Sequence, residues 1–201
     1  SEQALREIYL AAFETPVKEA QPKTVMCSYN KINGTFASED PWLLTNVLRD
    51  EWGFEGYVVS DWGAVNDRVE GLKAGLELEM PATNGTNDKK IVEAVKNGTL
   101  SEAVLDRAVE RILNVIFDFA DHRRDAQWDK EADHKLAQKI EEESAVLLKN
   151  DGILPLCPEK KAALIGLFAE KPRYQGGGSS HINSYKVTSA VEAAKEFANV
   201  V

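Results

Sequence analysis

Apolar residues at Leu5, Ile8, Tyr9 and Ala12 recur at helical spacing and predict a helix over about 2–14 with one packing face. The apolar run 24–29, entered after Pro22, predicts a short buried strand, and Asn30 to Thr35 supplies turn chemistry. Asp40-Pro41 reads as an N-cap followed by proline at the first helical position; Leu44, Val47, Leu48 and Trp52 carry that helix to Gly53. The β-rich run 56–61 ends on a carboxylate, Asp61. Helical spacing returns at Val65, Val69, Leu72 and Ala74 and stops at Gly75. A third strand is predicted over 76–80, closed by Pro81, with Glu77 and Glu79 alternating with Leu76 and Leu78 as on a half-exposed strand. Helices near 88–96 and 102–117 follow, the second N-capped by Ser101 and presenting Leu105, Ala108, Val109, Ile112, Val115 and Ile116 on one face.

Strands alternating with helices imply parallel strands joined by crossover helices, either in an open doubly wound sheet or in part of an eight-stranded barrel. Three strands cannot close a barrel, so the barrel reading places most of it before Ser1. Residues 118–129 turn polar and charged and read as a linker, followed by a charged helix over 130–143 whose apolar side is marked by Leu136 and Ile140. The apolar residues 145–149, the turn Asn150-Asp151-Gly152, Pro155, a strand over 162–168 and a helix over 189–198 open a second unit. About 55 residues bury only a marginal core alone.

Charge and composition narrow the class. Lys and Arg number 24 against 33 Asp and Glu, a formal net charge of −9, which disfavours nucleic acid as a partner. No apolar run approaches the roughly 20 residues of a spanning helix, so no membrane partner is expected. Cys27 and Cys157 form no Cys-x-x-Cys pair and read as reduced thiols, Cys27 in the core, which favours a reducing, cytoplasmic compartment. A secreted or periplasmic location is the alternative, should a signal peptide lie upstream. Asn-Gly-Thr recurs at Asn33, Asn84 and Asn97; each is formally a glycosylation acceptor but reads better as a turn between periodic segments. His122, His134 and His181 lack metal-ligand spacing, and 176–180 lacks the lysine ending of a phosphate-binding loop.

Asp61 is the first candidate for chemistry. Ligands in parallel α/β folds meet the carboxyl ends of strands, and a carboxylate there followed by the indole of Trp62 suits a sugar. The acid attacks or stabilises positive charge while the flat ring packs on the pyranose. The alternative use of Asp61 is as the N-cap of the next helix. Tyr29 and Asn30 close the preceding strand and face the same mouth; a phenol there can orient a carboxylate or simply anchor a strand end.

The segments 25–34 (Val-Met-Cys-Ser-Tyr-Asn-Lys-Ile-Asn-Gly) and 56–63 (Gly-Tyr-Val-Val-Ser-Asp-Trp-Gly) resemble glycoside hydrolase family 3, most closely its β-glucosidase branch. So do Glu79-Met80-Pro81, the segments 106–113 and 143–156, and Tyr174 through Ser180, all in the family's order. The resemblance implies a fold in which 1–118 is the C-terminal portion of a (β/α)8-type barrel, 119–144 a linker and helix, and 145–201 the start of an α/β sandwich. It implies a retaining mechanism through a covalent glycosyl-aspartate, with removal of terminal β-D-glucosyl residues and no metal or organic cofactor. Asp61 matches the nucleophile, Trp62 the aromatic lining the sugar subsite, Tyr29 the tyrosine bonded to the nucleophile, and Met26 a neighbour of the subsite. The acid/base is expected beyond Val201 and other sugar-gripping residues before Ser1, so the chain resembles a fragment with little activity of its own. Glu77 stands where the family often has Asp. A β-xylosidase, a β-N-acetylglucosaminidase and a non-catalytic carbohydrate-binding fragment are the rival readings, and the full-length parent could be a homo-oligomer.

Overall fold

The computed structural model describes residues 1–201, which form two compact units, 1–124 and 125–201. The first is an α/β unit. Its opening helix runs over 2–20, π-helical across Leu5–Leu10, past the expected end at residue 14. Pro16 sits inside it and forfeits one backbone donor, but Val17 is buried and packing holds the last turn until Gln21 turns left-handed at φ 46°.

Two parallel strands follow, Thr24–Met26 and Tyr57–Val59, in register Thr24↔Tyr57, Val25↔Val58 and Met26↔Val59. Both are shorter than their apolar runs. Gly56 makes their approach possible: a Cβ there would lie 2.1 Å from the carbonyl oxygen of Lys23. Between them, Lys31–Ile32 and Thr35–Phe36 form a hairpin whose two-residue turn is Asn33-Gly34, at φ 49° and 95°. The helix Trp42–Glu51, π-type throughout, starts as expected, with Asp40 Oδ1 accepting from the amides of Trp42 (3.0 Å) and Leu43 (3.3 Å). Leu44, Val47, Leu48, Trp52 and Phe54 join Leu10, Val17, Cys27, Val58, Ala74 and Leu76 in the main core.

The predicted third strand is reduced to one parallel bridge, Val59↔Leu78. Side chains replace the missing ladder: Glu77 is buried, not half-exposed, because two arginines and a backbone amide converge on it. The helix Arg68–Ala74 is capped by Asp67, which accepts from the amides of Val69 (2.9 Å) and Glu70 (3.0 Å). Asp67→Ala should destabilise the unit by about 1 kcal/mol in urea unfolding; an unchanged midpoint would discount the cap.

Helices Thr86–Lys96 and Glu102–Asp121 complete the unit around Leu72, Ala94, Leu100 and Ala108. Ser101 precedes the latter helix without a side-chain cap bond. That helix runs into the expected linker, and of its predicted apolar face Val109 and Ile116 are exposed.

In the second unit no residue is fully buried. Helix Lys130–Ser144 is capped by Asp129, and Glu131 at its start binds the Tyr185 hydroxyl and Lys186. The expected strand over 162–168 is two residues, Lys161–Ala162, paired in parallel with Asn199–Val200; Leu167–Glu170 is helical instead. Helix Ala190–Phe197 opens on a capping box between Ser189 and Glu192. Leu136 and Ile140 are exposed, as are the apolar residues 146–148, which join no regular element.

Candidate active site

Asp61 lies two residues past the end of Tyr57–Val59, half-buried, on the loop leading to Asp67. It does not cap the following helix, because Asp67 fills that role. Instead Asp61 Oδ1 accepts from the amide of Trp62 at 2.6 Å, and its carbonyl accepts from Ala64 at 3.0 Å. The carboxylate is pinned through one oxygen by its own turn. Gly63, at φ 82°, lets that turn close and donates to the carbonyl of Met80 at 3.0 Å.

Tyr29 reaches this turn from the segment after the first strand. Its hydroxyl donates to the carbonyl of Trp62 at 2.7 Å, so the phenol braces the peptide next to the carboxylate. The neighbouring Asp61 carboxylate, ahead of partial desolvation, holds the phenol pKa above its ordinary value. The protonated donor is therefore favoured in the fold. Its stabilisation is complete below the ordinary phenol pKa and is lost as pH rises through the raised one. A 295 nm titration, read as the difference between the wild type and Tyr29→Phe, should place this phenol above the ordinary range. Asp61→Asn should bring it back; no movement would mean the two groups do not interact.

Trp62 is 55% exposed and Tyr29 54%, so an indole and a phenol stand open to solvent at the Asp61 turn; Met26, 53% exposed, lies in the neighbouring strand. Met26 enters through strand register, opposite Val59. Cys27 lies buried behind them, and burial raises its thiol pKa, which suits packing rather than nucleophilic attack.

Sequence reasoning missed the support beneath this loop. Glu77 takes Arg49 Nη2 on both oxygens at 2.8 Å, Arg111 Nη1 at 2.6 Å and the Val58 amide at 2.7 Å. Arg68 donates to the carbonyls of Leu76 (3.0 Å) and Glu77 (2.7 Å). Burial lowers the pKa of both Arg49 and Arg68. Glu79, the other candidate carboxylate, is held by Asn87 Nδ2 at 2.7 Å, with Arg68 Nε at 3.8 Å. Charged residues punctuating an apolar run were the one available signal.

A cavity of about 750 Å³ includes Met26, Cys27 and Asn30 in its wall but neither Asp61 nor Trp62. Leu5, Phe13, Val25, Leu43 and Trp52 also line it, giving few partners for sugar hydroxyls. No group of three or more His, Cys, Asp or Glu is placed to hold a metal ion. His122 and His181 are exposed and His134 is half-buried, with His122 beside Asp118. No helix is long and apolar enough to cross a membrane.

The family model for the glycosyl hydrolase family 3 N terminal domain matches residues 1–115, and that for its C-terminal domain matches 145–199. The chain belongs to glycosyl hydrolase family 3. Similar family 3 relatives include thermostable beta-glucosidase B of Acetivibrio thermocellus, 58% identical across 97% of this chain and 26% of that protein. An exo-alpha-(1->6)-L-arabinopyranosidase of Bifidobacterium breve is 48% identical across 98% of this chain and 27% of its own length. Among solved structures, beta-glucosidase 3B from Thermotoga neapolitana in complex with alpha-D-glucose aligns with a TM-score of 0.91 at 42% identity. That alignment covers 100% of this chain and 30% of the other. This family 3 chain thus spans about a quarter of the length of the curated relatives it matches.

Proposed function

We propose that this chain is the nucleophile-bearing part of a retaining β-glucosidase that removes terminal non-reducing β-D-glucosyl residues. The observation that carries the reading is the half-buried Asp61 carboxylate beyond a parallel strand, tied at one oxygen and flanked by exposed Trp62 and Tyr29. In the proposed reaction Asp61 attacks the anomeric carbon, the aglycone oxygen leaves with its bonding electrons, and water then hydrolyses the glycosyl-aspartate. Trp62 packs on the sugar ring, Tyr29 braces the peptide after Asp61, and Met26 edges the subsite. The general acid lies outside this chain in this reading; Glu79, occupied by Asn87 and Arg68, is not assigned that role.

The parent architecture proposed is a (β/α)8-type barrel, ending near residue 118, then a linker to about 144 and an α/β sandwich. The exposed apolar side chains Val109, Ile116 and Phe117 and the bare run 146–148 support a larger protein around this segment. The isolated chain should turn over aryl glucosides near background, since a missing general acid alone costs about 10²–10⁴-fold.

A second specificity is favoured by one observation, the likeness to an arabinopyranosidase. Aryl β-D-glucoside, β-D-xyloside, N-acetyl-β-D-glucosaminide and α-L-arabinopyranoside assayed on the complete enzyme separate the choices. The glucoside should lead in kcat/KM by about tenfold or more; a higher value for any other sugar would reassign the substrate.

A further inference from the structure

Ser60, immediately before Asp61, is a fully buried serine with no exposed surface. Its Oγ donates to the carbonyl of Met80 at 3.1 Å and accepts from the Met80 amide at 2.8 Å. One hydroxyl thereby engages both polar groups of a residue on the neighbouring segment. The same Met80 carbonyl accepts from Gly63 at 3.0 Å, while the Ser60 amide donates to Leu78 at 2.9 Å. The parallel ladder has ended at the single bridge Val59↔Leu78, so the Ser60 side chain continues it where backbone pairing fails. Asp61 and Trp62 therefore sit in a loop clamped to residue 80 at both ends, by Ser60 before them and Gly63 after them. Tyr29 adds a third tie from the opposite segment.

We propose that Ser60 is a positioning residue, whose two hydrogen bonds to the Met80 backbone hold the Asp61 carboxylate at attack geometry. This rests on Asp61 being the nucleophile. A displacement of about 1 Å at a reacting group costs on the order of 10²-fold in rate, whereas a tie that only stabilised the fold would leave each folded molecule fully active.

The test is a pre-steady-state burst with 2,4-dinitrophenyl 2-deoxy-2-fluoro-β-D-glucoside on the complete enzyme. The Asp61 oxygen–C1 bond forms, the C1–aglycone oxygen bond breaks, and the electron pair leaves with dinitrophenolate, so proton donation is not needed. Burst amplitude counts folded active sites, and burst rate reports attack. For Ser60→Ala the rate per titrated site should fall about ten- to hundredfold. A rate within twofold of wild type, whatever the amplitude, would overturn the proposal. If Ser60→Ala yields no titratable sites, Ser60→Cys, close in volume but a poorer donor, is read in the same way: a slowed burst supports positioning and a wild-type burst refutes it. Absence of any burst in the wild type, with aryl-glucoside turnover intact, would instead refute the assignment of a covalent nucleophile.

Discussion

In the complete enzyme, Asp61→Asn should lower kcat for an aryl β-D-glucoside by roughly 10⁴-fold or more, as expected when a covalent nucleophile is removed. The substitution is close to isosteric. The amide oxygen can still accept from Trp62, which now occupies one carboxylate oxygen at 2.6 Å, so the turn should survive. The anionic oxygen proposed to bond the anomeric carbon does not survive. KM should change little and the urea midpoint should stay near that of the wild type, which separates lost chemistry from lost folding. A fall of less than about tenfold would move the nucleophile elsewhere.

The second large effect is on stability. Glu77→Gln should cost about 3–5 kcal/mol, the range found when one partner of a buried ion pair is removed. The Arg49 side chain is 7% exposed and the Glu77 side chain 1%, so the guanidinium left behind has little access to water. Arg49 already carries an unpartnered Nε, and burial already lowers its pKa, leaving little slack to absorb the loss. Arg111, 30% exposed, keeps part of its hydration and contributes less. The glutamine also presents its NH₂ donors to a ring of donors, including the Val58 amide. At an m-value of about 2 kcal/mol/M the urea midpoint should drop by roughly 2 M. A drop of less than about 0.5 M would show that the cluster contributes little beyond packing.

What could be read from the sequence was local. Asn33-Gly34 declared a two-residue turn because only small or amide side chains tolerate its positive φ values, and the hairpin is there. Asp40-Pro41 declared a helix start because a short carboxylate and a fixed φ act within three residues. The third strand failed for the opposite reason. Its residues alternate correctly, but pairing depends on what lies alongside, and there the backbone closes only one bridge, Val59↔Leu78. Glu77 was misread as half-exposed because Arg49 and Arg111 come from positions 28 and 34 residues away, a convergence no window in the sequence contains. The strand over 162–168 was overread from apolar content alone, in a unit where nothing is fully buried.

The candidate site divides in the same way. Asp61, Trp62, Tyr29 and Met26 could be named from motif and strand-end position, and Tyr29 does reach the Asp61 turn. Its bond to the Trp62 carbonyl, and the Ser60–Met80 tie beneath, depend on how three segments meet. Those are tertiary facts.

The central claim is that Asp61 forms a bond to sugar. The direct measurement is to inactivate the complete enzyme with a 2-deoxy-2-fluoro-β-D-glucosyl donor, digest it, and locate the adduct by mass spectrometry. The expected result is one fluoroglucosyl group on the peptide containing Ser60-Asp61-Trp62, lost in Asp61→Asn. An adduct on any other carboxylate, or inhibition with no adduct while turnover of ordinary glucosides persists, would contradict it.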